Sequence, residues 1–561
     1  MDNRIDVLKN NLEPDFRGFD LVYAVTQNNI NAHLAFLFGK KDGIQKYFSI
    51  WVENREVKIH NTNEQSESDP GGIKEGKNHG FWMELKPPTV KLFGSTDQKT
   101  NEVDFFINAQ SIVTSLPGDD FSDEQVITST PGKIGYITLS VPLSVKEYAR
   151  PDMIKNLTEK DAKKLQKIFE EFKRSNLDHL FSIRQLFMDF QAPFLVRNSQ
   201  AYIPGLSITQ TEFVRSEHFL QKMIDKLLEQ GSSNILGHVI VSKSNGKLPT
   251  FTPTDLSFKK NFYKKDDKQS GVNPASDLNT LNYQVMINGN EPPIESADLY
   301  TGNWIVGTEH TAVMAIHRDQ FFYGYLIPIL QQKINQVFDP DRMRDETHFS
   351  DPVWYTKPFV YPDWYHKDYP KQLVDFFSNV KEKQEVTLGS MNFEKEHERR
   401  HSGTSKKRQI KFRKDTTVKY IAGTNQITGD YFIRSKAKIS LGLAGHTQVI
   451  TIVQGKYNLA FDVDKEGQII VNLTLDPKDP QLETHRSGSG GADIKTHRRQ
   501  LDPILDVTKQ SIPNIVRAMT DIETALNGAK QFILPSNQYL SFSDLTFNKE
   551  GHLMVNASYK A

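Results

Sequence analysis

Apolar and polar residues alternate along most of this chain with period two, the pattern of strands that bury one face. The runs KYFSIWVENREVKIH (46–60), EVDFFINAQSIVTSL (102–116) and GKIGYITLSVPL (132–143) show it. A longer stretch, 419–475, reads as an antiparallel meander, with Gly429-Asp430, Gly455-Lys456 and Glu466-Gly467 as its punctuation. Four segments break this rhythm with helical spacing. Residues 160–173 place Leu165, Ile168, Phe169 and Phe172 together. Residues 217–230 align Leu220, Met223, Ile224, Leu227 and Leu228, with Gly231 as a stop. Residues 318–338 carry Phe322, Tyr325, Leu326, Ile329, Leu330, Ile334, Val337 and Phe338, and Pro328 predicts a kink. The fourth, 503–530, opens on Pro503. The stretches 61–80 and 485–499 read as long solvated loops. The expected class is α+β, an extended antiparallel sheet with a few long amphipathic helices laid against it.

Length adds a question of division. At 561 residues the chain is too long for one ordinary core. A break near residue 345, after the kinked helix, gives parts 1–345 and 346–561, with one continuous body as the alternative. Composition removes some chemistry. There is no cysteine, which excludes disulfides, thiol catalysis and thiolate metal sites. The 69 basic and 69 acidic residues balance, so no global field favours nucleic acid. The start, MDNRIDVLKNNLEPDF, lacks a basic segment followed by an apolar run. No window reaches the ~20 apolar residues of a membrane span. The most apolar stretch, AVMAIHRDQFFYGYLIPIL, is interrupted by His317, Arg318, Asp319 and Gln320. The expectation is a soluble protein, cytoplasmic or released without an ordinary signal peptide.

One motif suggests catalysis. His397-Glu398-Arg399-Arg400-His401 reads H-E-x-x-H, which on a helix would set two histidines on one face for zinc and a glutamate beside the bound water. The intervening arginines suit a buried zinc helix poorly, and Ser402-Gly403 continue a helix badly. A third ligand is missing: the extended pattern would need Gly and His where Thr404 and Lys407 stand, and no Glu occurs between Glu398 and Glu466. A charged surface loop between two strands is the better reading. SGSGG at 487–491 lacks the spacing of a phosphate loop and reads as a hairpin tip. No G-x-S-x-G occurs, and Asp119-Asp120 lie in a turn-like stretch. The expectation is no enzyme, no metal and no cofactor.

Two features point to surfaces. KKRQIKFRK (406–414) gathers Lys406, Lys407, Arg408, Lys411, Arg413 and Lys414. On a strand, Lys411 and Arg413 share one face while Phe412 turns inward. That face would suit anionic headgroups or phosphates; the plainer reading is a solvated basic edge that discourages strand-to-strand aggregation. PVWYTKPFVYPDWYHKDYP (352–370) concentrates Trp354, Tyr355, Phe359, Tyr361, Trp364, Tyr365 and Tyr369. These rings suit sugar stacking or a membrane interface, or else an extended arm packed across a sheet.

The two ends carry a resemblance. GFDLVYAVTQNNINAHL (18–34) is an aromatic-Asp-x-Val-Tyr strand, a polar residue, and a helix beginning near Asn-Ile-Asn. FILPSNQYLSFSDLTFNKEGHLMVNASY (532–559) is Leu-Pro, a turn, an aromatic-x-Phe strand and a Phe-x-x-x-Gly-x-Leu hairpin. With EHTAVMAIHRDQFFYGYLIPIL (309–330) between them, they resemble the TULIP-like (tubular lipid-binding) proteins of botulinum neurotoxin gene clusters, the forty-seven-kilodalton protein and its OrfX relatives. The resemblance implies elongated, highly curved antiparallel sheets wrapped around long helices. It also implies a non-enzymatic lipid-binding or toxin-associated accessory role, with lipid, phosphoinositide or other toxin-cluster proteins as partners. An apolar groove between helix and sheet would be lined by Phe322, Tyr325, Leu326, Ile329 and Leu330. Anionic headgroups would meet Lys406, Lys407, Arg408, Lys411 and Arg413. A filled tunnel acting only as a protein-interaction scaffold is the alternative, and an H-E-x-x-H zinc metalloprotease stands behind both.

Overall fold

A computed structural model describes residues 16–39, 45–93, 102–116, 125–148, 181–188, 200–202, 222–223, 226, 235–242, 251, 253–263, 276–287, 289–293, 303–305, 310–336, 353–356, 379–400, 406–441, 445–464, 469–476, 482–489, 501 and 540–559. Three sheets hold its strands. The first runs in the order β12 (Pro253–Asn261), β13 (Thr280–Ile287), β1 (Leu21–Thr26), β14 (Ala312–Ile316), β23 (Leu553–Tyr559), β22 (Leu540–Phe547). The second runs β11 (Ile235–Ser242), β9 (Phe181–Met188), β8 (Gly135–Tyr148), β6 (Glu102–Leu116), β4 (Gly80–Leu85), β2 (Tyr47–Glu53), β3 (Glu56–Thr62). To it β10 (Gln200–Tyr202) adds on β8, and β5 (Thr89–Lys91) and β7 (Gln125–Thr128) add on β6. The third runs β15 (Val353–Thr356), β16 (Glu385–Arg400), β17 (Lys406–Ile421), β18 (Gln426–Leu441), β19 (His446–Val463), β20 (Ile469–Asp476), with β21 (Glu483–Ser489) also on β19.

The expected α+β class with a few long amphipathic helices is corrected: the described body is predominantly β-sheet. Its α-helices are α1 (Gln27–Leu37, 11 residues) and α2 (Ile327–Gln336, 10 residues). A π-helical segment, Asp319–Leu326, leads into α2. Within the described part of the 318–338 pattern two short helical pieces follow one another, and Pro328, which has no N–H to donate, stands beside their junction. The strands win elsewhere because period-two alternation continues for 14 to 18 residues in β6, β8, β16, β17, β18 and β19. Residues 222, 223 and 226 are helical. The remainder of that expected helix, and those at 160–173 and 503–530, lie outside the described residues, as does the break expected near 345.

The chain divides into two compact units, one comprising 1–20, 315–531 and 542–555, the other 21–314, 532–541 and 556–561. In the second, β1 enters α1 through an N-cap: the Thr26 hydroxyl accepts a hydrogen bond from the Asn29 N–H at 3.1 Å. The run 46–60 is not one strand but a hairpin, β2–β3, turned at Asn54 and Arg55, whose φ values of 53° and 68° are left-handed. The loop expected to be solvated at 61–80 is pinned instead. Asp69 accepts from the N–H groups of Ile73 and Lys74, both at 2.9 Å. Ile73 is buried among Tyr47, Trp51, Trp82 and Val113.

In the first unit the meander forms as read, but two of its three expected turns do not, while Glu466-Gly467 lies outside the described residues between β19 and β20. Gly429 and Gly455 lie inside β18 and β19, opposite Tyr457 and Tyr431. A Cβ on Gly429 would stand 2.3 Å from the Tyr457 ring, and one on Gly455 would stand 2.5 Å from the Tyr431 hydroxyl. Each glycine is the seat of a tyrosine ring on the neighbouring strand, so these positions mark close ring approach, not chain reversal. The stretch 485–499 is likewise corrected in part: 485–489 belong to β21, all of it exposed.

Candidate functional site

In the first unit, alternation gives the third sheet two different faces. On one face β17 buries Ile410, Phe412, Lys414, Thr416, Val418 and Tyr420. Tyr431, Ile433, Ser435, Ala437 and Ile439 of β18, and Val449, Thr451, Val453, Tyr457, Leu459 and Phe461 of β19, are buried in register with them. This inner face is apolar at both ends and polar in the middle. At one end Tyr420, Phe461 and Phe547 pack on Phe321 and Phe322, with ring centroids 5.5 to 5.6 Å apart where Phe321 or Phe322 meets them. At the other end Ile410, Ala437, Ile439 and Val449 close on Leu501. Between them Ser435 and Thr451 share a hydrogen bond, and the Thr416 hydroxyl donates to the Asp430 carbonyl at 2.8 Å. The Lys414 side chain is 3% exposed, its Nζ 5.5 Å from the centre of the Phe412 ring.

The expected groove residues lie along the helical run. Phe322, Tyr325, Leu326 and Leu330 are buried and Ile329 is half-buried. Phe322 stacks on Tyr420 at 5.6 Å, and burial pushes the Tyr325 phenol well above its ordinary range. The expected headgroup residues do not form one patch. Lys407, Lys411 and Arg413 alternate onto the outer face, Arg408 falls on the opposite side of the pleat, and the Lys406 side chain lies outside the described ones. The outer three are already paired: Lys407 with Glu398, Lys411 with Glu394, and Arg413 with Asp415 at 2.6 Å. Nor is β17 an edge, since β16 and β18 flank it. The edge-protection reading therefore does not apply.

Residues 397–400 of the H-E-x-x-H stretch are strand, not helix and not loop. His397, Glu398, Arg399 and Arg400 sit in β16 opposite Ile410, Gln409, Arg408 and Lys407, while His401 lies outside the described residues. Extended backbone sends successive side chains to opposite faces, so the zinc-helix arrangement does not form here. Trp354 and Tyr355 lie in β15, opposite Lys395 and Glu394. Phe359, Tyr361, Trp364, Tyr365 and Tyr369 lie outside the described residues.

A buried polar cluster at the start of the helical run was not anticipated. The Arg318 N–H donates to His552 Nδ1 at 3.1 Å, and its guanidinium donates to the Glu550 carbonyl at 3.3 Å. Asp20 accepts from Gln320 at 2.8 Å, and the Tyr420 hydroxyl donates to the Lys549 carbonyl at 2.5 Å. The rings of His317 and Phe16 stand 4.8 and 4.4 Å from His552. Burial pushes the Glu550 carboxyl up to about 7 and holds His552 well below its ordinary value. Because Nδ1 of His552 accepts, its proton sits on Nε2. The signal in the sequence was the interruption of an apolar run at 317–320, together with Glu550-Gly551-His552 in the last hairpin.

No family model matches the chain, and no curated protein does. Among solved structures it is similar to P47 from Clostridium botulinum A2, at 10% identity and a TM-score of 0.38, over 97% of this chain and 98% of that one. It is also similar to P47 of Clostridium botulinum E1, at 9% identity and a TM-score of 0.37, over 97% and 99%. Both are of the forty-seven-kilodalton group that the two ends of the sequence resemble. TM-scores this low do not establish a shared fold. Among the described residues no helix is long and apolar enough to cross a membrane.

Proposed function

We propose that this chain is a non-enzymatic, toxin-associated accessory protein that binds lipid against the inner face of its third sheet. The observation that carries the proposal is the ordering of that face. An amphiphile needs an apolar surface for its acyl chain and polar partners for its head. Rows of buried apolar residues here flank a belt of hydroxyls and an ammonium, from Lys414, Thr416, Ser435 and Thr451. Thr416, Ser435 and Thr451 hydrogen-bond within the chain, and the buried Lys414 ammonium supplies the positive charge that an anionic head would meet. Phe322, Tyr325, Leu326, Ile329 and Leu330 would form the helix side of the seam. Lys407, Lys411 and Arg413 keep a secondary part, because their carboxylate neighbours compete with any headgroup. The resemblance of both chain ends to TULIP-like proteins supports the same reading.

Native mass spectrometry of the purified full chain, with organic extraction of the same sample, tests it. A co-purifying lipid that is lost in Lys414→Met, with the circular dichroism unchanged, is the expected result. A bare mass, together with no transfer of labelled phosphatidylinositol from vesicles, would sink the proposal. The second reading, a scaffold with a filled seam, is favoured by one observation: the rings around Phe322 are already in mutual contact and it has no exposed surface. Under that reading Phe322→Ala would only destabilise the chain, whereas under the lipid reading it would also raise the amount of lipid retained.

A further inference from the structure

The outer face of the third sheet carries a charge pattern that fold stability does not explain. Along β17 the outward cations have carboxylates to meet: Glu394 stands opposite Arg413 and Glu396 opposite Lys411 on β16. One strand further in, β18 places Arg434 opposite Arg413, Lys436 opposite Lys411 and Lys438 opposite Gln409. None of these three has a carboxylate within ion-pair distance among the described residues, and Nε of Arg434 is enclosed without a hydrogen-bond partner. Like charges directly across a ladder are destabilising. Their use as protection against edge pairing does not apply, because β18 lies between β17 and β19.

We propose that Arg434, Lys436 and Lys438 form a docking stripe for an acidic, extended segment of a partner protein. Alternate residues of a strand repeat about every 7 Å, so carboxylates at alternate positions of an extended segment match the cations one for one. The stripe is also narrow. Strands stand ~4.8 Å apart, so two cationic columns span about 10 Å. Glu394, Glu396 and Glu398 bound it on one side. Beyond Ile450 and Ile452 on the other side lies Glu483 of β21. A broad anionic bilayer would be pressed against those acids, whereas a single acidic chain fits between them. The accessory role supplies the reason for a partner. The stripe itself lies on the opposite face of the sheet from the lipid seam, so either proposal can fail alone.

The test is fluorescence anisotropy of the full chain at low salt with a labelled peptide of alternating Glu and Thr, beside a Gln–Thr counterpart. The Glu peptide is expected to bind and the Gln peptide not. R434Q/K436Q/K438Q should weaken binding by about tenfold or more with circular dichroism unchanged. K436Q alone should weaken it less, and K58Q, at an exposed pair elsewhere, not at all. E394Q/E396Q, which removes the internal competitors, should tighten binding, an effect that a merely structural role would not produce. The proposal is overturned if the triple variant binds as the parent does or if the Gln peptide binds equally. It is overturned in favour of a membrane or nucleic-acid surface if phosphatidylserine vesicles or a single-stranded oligonucleotide bind through the same three residues and displace the peptide.

Discussion

The two parts of the inner face of the third sheet solve opposite problems. Around Phe322 the chain closes the interior with rings, and two glycines further along the strands are given up so that Tyr431 and Tyr457 can lie flat across their neighbours. In the belt around Lys414 the same strands keep hydroxyls and an ammonium where apolar side chains would pack more cheaply. Both parts are equally deep in the sheet, so burial alone does not separate structure from candidate function. What separates them is whether the buried groups are there to exclude water or to meet something polar.

The largest expected effect falls at the ring-packed end. Phe322→Ala should cost about 3–5 kcal/mol in urea unfolding, because the cavity is lined by Phe321, Tyr420 and Phe547 and cannot easily collapse. A loss under about 1 kcal/mol would mean that this end is not core, and the contrast would vanish.

Next comes the pH dependence of the polar cluster beside the rings. The folded Glu550 carboxyl is raised to about 7 from 4.5. Its contribution to stability is therefore fully present below pH 4.5 and lost as pH rises through about 7. His552 is depressed by burial, so its contribution is present above its unfolded value of 6.5 and lost as pH falls below it. Between pH 4.5 and 6.5 the two slopes oppose each other. Glu550→Gln should remove one of them. At pH 8 it should raise stability by up to about 3 kcal/mol, and the stability of the variant should then fall on acidification below pH 6.5. Parallel stability–pH curves for the variant and the parent would show that Glu550 is not held neutral.

A smaller effect tests the glycine seats. Gly455→Ala should cost about 1–3 kcal/mol through overpacking against Tyr431, with part recovered in Gly455→Ala/Tyr431→Ala. Full additivity in that double-mutant cycle would deny the ring its seat. The smallest effect is in the belt. Ser435→Ala should cost about 1 kcal/mol by leaving Thr451 without its partner. If lipid is bound at the belt, that loss should shrink when lipid is stripped, and an unchanged loss would assign the pair to the fold alone.

Much of the strand content was legible. Residues 102–116 form β6 with the bounds that alternation marks, and the long meander appears as β17 to β20. Turn placement was not legible, because glycine serves two purposes: Gly429 and Gly455 permit close approach by a ring, and only the register reveals that use. Asn54-Arg55 hid a hairpin inside what read as a single run, since Asn54 suits a left-handed turn position but Arg55 stands where the usual signal would be glycine. The helices were overread at 318–338 because periodicity cannot see where the backbone changes its hydrogen-bond step. The basic cluster was legible as a composition and not as a surface. Alternation splits it between two faces, and the glutamates that neutralise it come from β16, while the unpaired cations lie some twenty residues on in β18.

Alternation of apolar and polar residues by itself determined that this chain would bury one side of long antiparallel strands, since period two is a local property of extended backbone. The absence of cysteine likewise settled, without any structure, which chemistries are closed to it. Only the tertiary structure decided which charges remain unpaired, which glycines hold rings, and that residues 397–400 are extended. Those outcomes depend on cross-strand register, and register joins residues that the sequence keeps apart.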